Sequence, residues 1–326
     1  MIALVTGATG FIGSHLVESL LARGFTVRVL IRSSSDLRWL DGLQFEQVTG
    51  DIRLGQFPQG ALDRVDYVFH LAGVIEATRK KDYFDINRDG TRKLLEAVRS
   101  HRRQITKFVF VSSQAAGGPS TGNQAIREDD PPHPVSFYGE SKLAAEAAVL
   151  EFAKEFPVVI LRPPTIYGPR ETRVLAAFRM MKQGLALAAG SEPKYISFCY
   201  VSDLVKAMLQ AALQSQPDGR IYNVCGEKAY EWLEFVAAIG RALGRGYRVF
   251  RIPKPCLFSL GAAGEIYSRL TGRSTLFTWQ KVKEFAQNSW VIDGRRIRAE
   301  LGWREEVDLE EGIITTLDWY RRQGWL

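Results

Sequence analysis

MIALVTGATGFIG, residues Met1 to Gly13, holds a strand, a glycine turn and the start of a helix in one short run. Ile2, Ala3, Leu4 and Val5 are apolar without alternation, which suits a strand buried on both faces. The run gives way at Thr6 to Gly7, Gly10 and Gly13, and a helical pattern continues from Ser14 to Arg23. Strand, glycine turn, helix is the context that makes a glycine motif a phosphate site. Gly7 permits a tight turn, Gly10 lets backbone approach a pyrophosphate, and Gly13 lets helix and strand pack closely. The helix then offers unpaired N–H groups and the positive end of its dipole to the anion. A plain strand–turn–helix without a ligand is the competing reading. The spacing is G-x-x-G-x-x-G rather than G-x-G-x-x-G.

The run TGATGFIG (Thr6 to Gly13) resembles the extended short-chain dehydrogenases/reductases, the epimerase/dehydratase superfamily. The resemblance implies an α/β fold: a doubly wound parallel sheet of Rossmann type with a smaller, mostly helical C-terminal substrate lobe. It divides the chain into 1–169, binding NAD(P), and 170–326, binding substrate, with segments near 196–225 returning to the first domain. It also implies cofactor contacts from Gly7, Thr9, Gly10, Phe11, Ile12 and Gly13.

Composition agrees. A chain of 326 residues can bury a large core in one or two domains. Hydrophobic residues at 46% and charged residues at 24% are those of an ordinary globular protein. The net charge of +7 has no basic cluster that would single out nucleic acid, and leaves open an anionic cofactor or a membrane surface. Cys199, Cys225 and Cys256 are too sparse for a disulfide framework and suggest reduced thiols in the cytoplasm. Residue 1 already lies in the first strand, so no signal peptide is expected. No apolar run reaches the ~18 residues of a membrane span. No metal site is expected.

The chain continues in the same alternation. Thr26 to Ile31 reads as a second strand, and its end bears on the cofactor. An acidic side chain there would hydrogen-bond ribose hydroxyls, whereas an arginine accommodates a 2′-phosphate. Here Arg32 is followed by Ser33, Ser34 and Ser35, which favours NADP over NAD. A solvated arginine at a strand end is the alternative. A third strand, Phe45 to Val48, ends in Gly50-Asp51-Ile52. The resemblance implies that Asp51 hydrogen-bonds the adenine and Ile52 packs on it; a helix N-cap is the other reading of Asp51. A fourth strand, Tyr67 to Leu71, runs into Ala72-Gly73. The run HLAG is similar to the family signature beside the cofactor, which implies contacts from Leu71, Ala72 and Gly73. His70 lies inside the apolar strand and reads as a core histidine.

Tyr83 to Ser100 carries apolar residues at helical spacing. Its N-x-x-G-T (Asn87, Gly90, Thr91) resembles the family helix whose Asn stabilises a bend and supports a proton-relay water. A buried polar residue capping a turn is equally compatible with Asn87. Lys107 to Val111 forms a fifth strand and delivers Ser112 and Ser113 to its carboxyl end, where open parallel sheets bind ligands. A loop over Gly117 to Pro134 then leads to Ser136-Phe-Tyr-Gly-Glu-Ser-Lys142, which puts Tyr138 and Lys142 on one helical face. A tyrosine is a poor base at neutral pH, and a neighbouring ammonium favours its phenolate. Together with Ser113 and the glycine motif, the pair is identified as a Ser-Tyr-Lys site. Tyr138 would be the acid/base, Lys142 the tuner of its pKa and holder of the cofactor ribose, and Ser113 the partner of the substrate oxygen.

The alanine-rich helix from Leu143 suggests a homodimer, with packing inside one subunit as the alternative. A sixth strand, Val158 to Leu161, leads to Arg162-Pro-Pro-Thr-Ile-Tyr-Gly-Pro169. This resembles the family segment over the nicotinamide, which implies contacts from Pro164, Thr165 and Ile166. Arg170 and Arg173 face an acidic substrate or solvent. Further helices are expected over Arg173 to Gly184, Ser202 to Leu213, Glu231 to Gly244, Lys254 to Thr271, Leu276 to Ala286 and Leu309 to Trp325. Strands are expected around Ile196 to Tyr200 and Arg220 to Val224.

The resemblance covers essentially the whole chain, loosely in its second half. Lys194, Tyr195 and Ile196 replace the arginine that meets sugar-nucleotide phosphates in many members. Ser113 is followed by Gln-Ala-Ala-Gly-Gly, without the aromatic of sugar epimerases. The run Ser197-Phe-Cys-Tyr-Val-Ser-Asp-Leu204 looks more like dihydroflavonol-reductase-like and 3β-hydroxysteroid-dehydrogenase-like members. The apolar helix Pro255 to Leu270 suits core or dimer packing, a lipophilic substrate, or peripheral membrane contact. The function implied is hydride exchange between NADP(H) and a small secondary alcohol or ketone. A nucleotide-sugar epimerase/dehydratase holding NAD is the second reading, and a non-catalytic dinucleotide-binding regulator the third.

Overall fold

Apolar strands and amphipathic helices alternate along the first half and sort into layers. The structure, a computed structural model, describes residues 1–102, 105–121, 124–215, 218–271 and 278–326. β1 (Ile2–Thr6) leads into α1 (Phe11–Ala22); β2 (Thr26–Ile31), β3 (Glu46–Thr49) and β4 (Tyr67–His70) follow. Then come α2 (Lys80–Phe84), a π-helical turn over Asp85–Gly90, and α3 (Thr91–Arg99). β5 (Lys107–Val111), α4 (Gln114–Gly117), α5 (Phe137–Phe152) and β6 (Val158–Arg162) complete this half. Beyond it lie β7 (Thr165–Tyr167), α6 (Leu175–Lys182), β8 (Leu185–Ala189), β9 (Tyr195–Ile196), β10 (Phe198–Tyr200) and α7 (Val201–Leu213). β11 (Arg220–Asn223), β12 (Tyr230–Glu231), α8 (Trp232–Leu243), β13 (Arg248–Ile252) and α9 (Lys254–Thr271) follow. α10 (Trp279–Phe285), β14 (Ser289–Trp290), α11 (Arg295–Leu301) and α12 (Leu309–Arg322) end the chain.

Seven strands form one parallel sheet in the order β11-β6-β5-β4-β1-β2-β3. β1 has β2 on one side and β4 on the other, with Thr6 opposite both Leu30 and His70. The strand order reverses there, which opens a crevice at the carboxyl ends. Both faces are covered. Leu16, Val17 and Leu20 of α1 and Leu204 and Met208 of α7 pack with Val5, Val29 and Val109. Leu94 and Val98 of α3 and Ala145 and Val149 of α5 pack with Leu4, Val68 and Phe110. A third apolar cluster, around Tyr167, Phe178, Phe198, Phe235 and Tyr320, fills the smaller lobe.

Several elements differ from the sequence expectation. α1 starts at Phe11 rather than Ser14, because Gly10 is extended (φ −82°, ψ 175°) and caps the helix directly. The helix expected over Tyr83 to Ser100 is broken by the π-helical turn, where the Thr91 hydroxyl donates to Asn87 O at 2.6 Å. The expected strand over 196–200 divides at Ser197. β9 pairs with β12 and β14, while β10 pairs with β7. The parallel pair β8–β13 and the helix α11 lay within stretches assigned to no element. α10 begins after the N-cap Thr278; Leu276 and Phe277 of the expected helix lie outside the described residues. So do residues 122–123 of the expected loop. The last helix stops at Arg322, and Trp325 instead packs against Trp39, Trp319 and Tyr320.

Candidate active site

The glycine turn closes against the exits of β1 and β4. Gly7 has φ +73°, and a Cβ there would stand 2.6 Å from Ala72 N. A Cβ on Gly13 would stand 2.2 Å from Gly7 O, so helix and turn touch through backbone alone. Gly10 is exposed, and the first turn of α1 contains no acidic residue. The N–H groups of Phe11, Ile12 and Gly13 have no acceptor among the described residues. Backbone donors, a helix dipole and the absence of side-chain bulk fit a dinucleotide pyrophosphate. Thr9 lies half-buried in the same turn.

Around this cradle the predicted contacts divide. Arg32 and Ser33 are exposed at the end of β2, and the Arg32 guanidinium is unpaired among the described residues. The nearby Asp36 carboxylate is already held by Arg38, which donates to it from Nε at 2.5 Å and holds it below the usual carboxylate range. Asp51 accepts the Arg53 N–H at 2.8 Å and bridges to Gln56. Ile52 is buried against Gly90. Leu71 and Ala72 are half-buried and Gly73 exposed. His70 lies in the core. Thr91 donates to Asn87 O, so its Oγ accepts from His70 Nε2 at 2.8 Å. His70 Nδ1 then accepts the Thr6 hydroxyl at 2.6 Å. Burial lowers its pKa to about 3, so the ring is neutral and ties β1, β4 and α3 together.

Ser113, Tyr138 and Lys142 come together at the carboxyl end of β5. Ser113 caps α4, its Oγ accepting the Ala115 N–H at 3.1 Å, and its hydroxyl lies near enough to the Tyr138 phenol to favour the phenolate. Tyr138 is held by the start of α5, where Ser136 Oγ accepts the Gly139 N–H at 3.1 Å. Lys142 is one turn further and donates to Val111 O at 2.7 Å, over the Phe110 ring at 4.3 Å. Asn87 is buried and clamps backbone: its Oδ1 accepts Val74 N–H at 2.8 Å and its Nδ2 donates to Val74 O and Ser141 Oγ, both at 2.9 Å. Ser141 in turn donates to Tyr138 O at 2.8 Å.

The electrostatics correct one expectation. Burial raises the Tyr138 phenol above its ordinary value, and the nearby Ser113 hydroxyl and the Arg173 charge only oppose that. The lowering expected from Lys142 is not found. Burial brings Lys142 itself down to about 7, so its ammonium is a weakened charge, engaged by the Val111 carbonyl.

Residues that carry the site's support were missed. Glu146 accepts from Ser112 Oγ at 2.5 Å and takes a bidentate pair from Arg162, Nε at 2.9 Å and Nη2 at 2.6 Å. Its signal was available: Tyr138, Lys142 and Glu146 are spaced by four and share a helix face. From α10, Gln280 Oε1 accepts Phe137 N–H at 3.0 Å, and Ser136 donates to Glu284 at 2.6 Å. No spacing in the sequence announces contacts so distant. Pro164 and Ile166 are half-buried and Thr165 exposed where β7 leaves β6, beside the Ser113 turn through Gln114 N–H to Pro163 O at 2.8 Å.

Arg170 is neither substrate-facing nor solvated. At φ +75° it donates to Ser14 Oγ at 2.9 Å and Glu18 at 2.5 Å and lies over Trp39, locking α1 to the second half. Arg173 is half-exposed, pairs with Glu171 at 3.1 Å, and is near enough to act on Tyr138. Lys194 turns to Phe285 O at 2.8 Å. All three cysteines are free thiols.

Comparison with known proteins gives this geometry its relatives. Residues 3–225 match the model of the NAD dependent epimerase/dehydratase family. A ceramide reductase from Caulobacter vibrioides is 32% identical over 330 residues, covering 100% of this chain and 96% of the relative. A sterol demethylase protein B from Methylococcus capsulatus is 33% identical over 347 residues, covering 100% of both. Among solved structures, a Thermus thermophilus UDP-glucose 4-epimerase in complex with NAD superposes with a TM-score of 0.78 at 26% identity, over 98% of this chain and 99% of that one. The chain therefore belongs to the NAD dependent epimerase/dehydratase family, and is an enzyme of the extended short-chain dehydrogenase/reductase kind.

Proposed function

We propose that this enzyme is an NADP-dependent oxidoreductase acting on a secondary alcohol or ketone of a lipophilic substrate. The observation that carries it is the placement of Ser113 near the Tyr138 phenol at the carboxyl end of β5, with Lys142 one helical turn on. The glycine cradle fits the pyrophosphate, and the unpaired Arg32 suits a 2′-phosphate. When bound, the nicotinamide supplies or accepts the hydride. Tyr138 gives its phenolic proton to the substrate oxygen in reduction, and its raised pKa keeps that proton on the phenol at neutral pH. Ser113 hydrogen-bonds the same oxygen, and Lys142 holds ribose hydroxyls. Asn87 acts by fixing the backbone under Tyr138, with a relay water beside it. Asp51, Ile52, Leu71, Ala72 and Gly73 line the adenosine side, and Pro164, Thr165 and Ile166 the nicotinamide side. The lipophilic class is supported by the ceramide and sterol enzymes, both more similar than the nucleotide-sugar enzyme. The apolar outer face of α5, with Leu143, Ala147 and the exposed Leu150, suits pairing with a second copy.

The test is steady-state kinetics with NADPH and long-chain or steroidal ketones. Tyr138→Phe should lower turnover by about 10²–10⁴-fold with cofactor affinity nearly kept. NADPH should bind more tightly than NADH, a gap that Arg32→Ala removes. Undiminished turnover in Tyr138→Phe would overturn the mechanism. Stoichiometric NAD retained through purification, with UDP-sugar interconversion and no added cofactor, would establish the epimerase instead.

A further inference from the structure

Helix α9 is built inside out. It packs on α10 through Leu257 and Gly261, where a Cβ on Gly261 would come within 2.8 Å of Val282. Leu260, Tyr267 and Leu270 point the other way, 45%, 47% and 81% exposed, and Ile266 at its side is 60% exposed. Cys256, Leu260, Ala263, Tyr267 and Leu270 recur at three- and four-residue intervals, so they form one continuous stripe, all exposed. Phe250 on β13, which runs directly into α9, and Phe285 on α10 are 50% and 44% exposed. Large apolar surface left in water marks an interaction face.

The charge of the segment that carries that face names the partner. Residues 245–284 hold eight Lys and Arg against two carboxylates, Glu265 and Glu284, and so carry nearly all of the chain's net charge of +7. Arg248 and Arg251 are exposed immediately before the helix. An apolar helix face within a basic segment has the composition of an interfacial helix on anionic lipid. A second copy of the chain would bring the same positive charge to a two-fold contact, and repel.

We propose that α9, with β13 before it and α10 after it, docks the enzyme onto an anionic lipid bilayer. The face lies one helix away from the candidate site. α10, on which α9 packs, holds the start of α5 through Gln280 and Glu284, and a cleft of about 390 Å³ lies between Phe137 at the start of α5, Ile266 on α9 and Trp279 on α10. A lipophilic molecule leaving the bilayer at α9 would enter there. The docking stands without the assigned reaction.

The test is co-sedimentation of the full chain with phosphatidylcholine vesicles and with vesicles containing phosphatidylglycerol. Binding is expected to the second and not the first, and should be lost at about 1 M salt, where the screening length is about 3 Å. Leu260→Asp with Leu270→Asp should lower partition at least about tenfold while leaving the unfolding midpoint unchanged. Arg248→Glu with Arg251→Glu should weaken it through charge alone. Absence of binding, equal binding to phosphatidylcholine, or unchanged binding by both variant pairs would overturn the proposal. So would a dimer that the leucine variants dissociate in protein that ignores vesicles.

Discussion

Burying the Lys142 ammonium is costly even with help from the Phe110 face, the Val111 carbonyl and the charge of Glu146. Its pKa of about 7 stands against an ordinary 10.5, so the folded state sheds a proton that the unfolded chain keeps. Between those values the unfolded chain binds more protons, and stability must rise with pH. The penalty is greatest below pH 7 and fades toward pH 10.5. Each tenfold loss of proton affinity is worth about 1.4 kcal/mol, which brings the penalty to about 4 kcal/mol at neutral pH. Lys142→Met removes the titration. Denaturant unfolding should therefore show the difference in stability, variant minus wild type, falling by about 2–3 kcal/mol from pH 6 to pH 9. An equal difference at both pH values would refute a buried, titrating Lys142. Tyr138, Lys142 and Ser113 could be picked out from the sequence because a helical spacing and a strand end are local patterns. The direction in which burial moves the Tyr138 and Lys142 pKa values was not legible, since it depends on how β5 and α10 close over α5. Arg170 shows the same limit: as a residue after Gly168-Pro169 it reads as free, and only the fold brings Glu18 to it.

At the scale of elements, α5 is fastened to the sheet by a buried charge pair. Glu146 is 1% and Arg162 4% exposed, and their bidentate contact joins α5 to β6 while Ser112 adds β5. Such a pair is weak evidence for net stability, but losing one partner strands the other charge in the core. Arg162→Met should cost about 3–5 kcal/mol, and adding Glu146→Leu should recover most of it. Urea unfolding of the single and double variants reads this directly; additive losses would contradict the pairing. Central strands were legible because Val, Ile and Phe cluster in runs such as Lys107 to Val111. β8 was not, since Leu-Ala-Leu-Ala-Ala favours a helix in isolation and becomes a strand only beside β13. The π-helical turn was equally hidden, because it depends on the Asn87 clamp on Val74.

The two halves of the molecule share the apolar cluster on one face of the sheet, and this governs how it should unfold. β11, from beyond residue 169, is the strand that pairs with β6 at the edge of the main sheet. α7 covers one sheet face with Leu204 and Met208, and Ile297, Leu301 and Trp303 join the same apolar cluster. Trp303 donates from Nε1 to Asp203 O at 3.0 Å, and the Asp203 carboxylate accepts the Glu306 and Val307 N–H groups at 3.1 and 3.2 Å. Arg170 adds its lock on α1. A first half cut at 169 would expose the β6 edge and strip the α7 cover from Val109 and Val159 on one sheet face. An open apolar edge of that kind is an aggregation site. The full chain should accordingly unfold in one calorimetric transition, its calorimetric and van't Hoff enthalpies agreeing. The fragment 1–169 should be insoluble or lack a cooperative transition, because its missing cover is not at one boundary but spread from β10 to residue 307. Two separate transitions in the intact protein, or a soluble fragment melting sharply, would mean that the halves fold as independent bodies. That would also detach the fate of the glycine cradle from the lobe that carries α9.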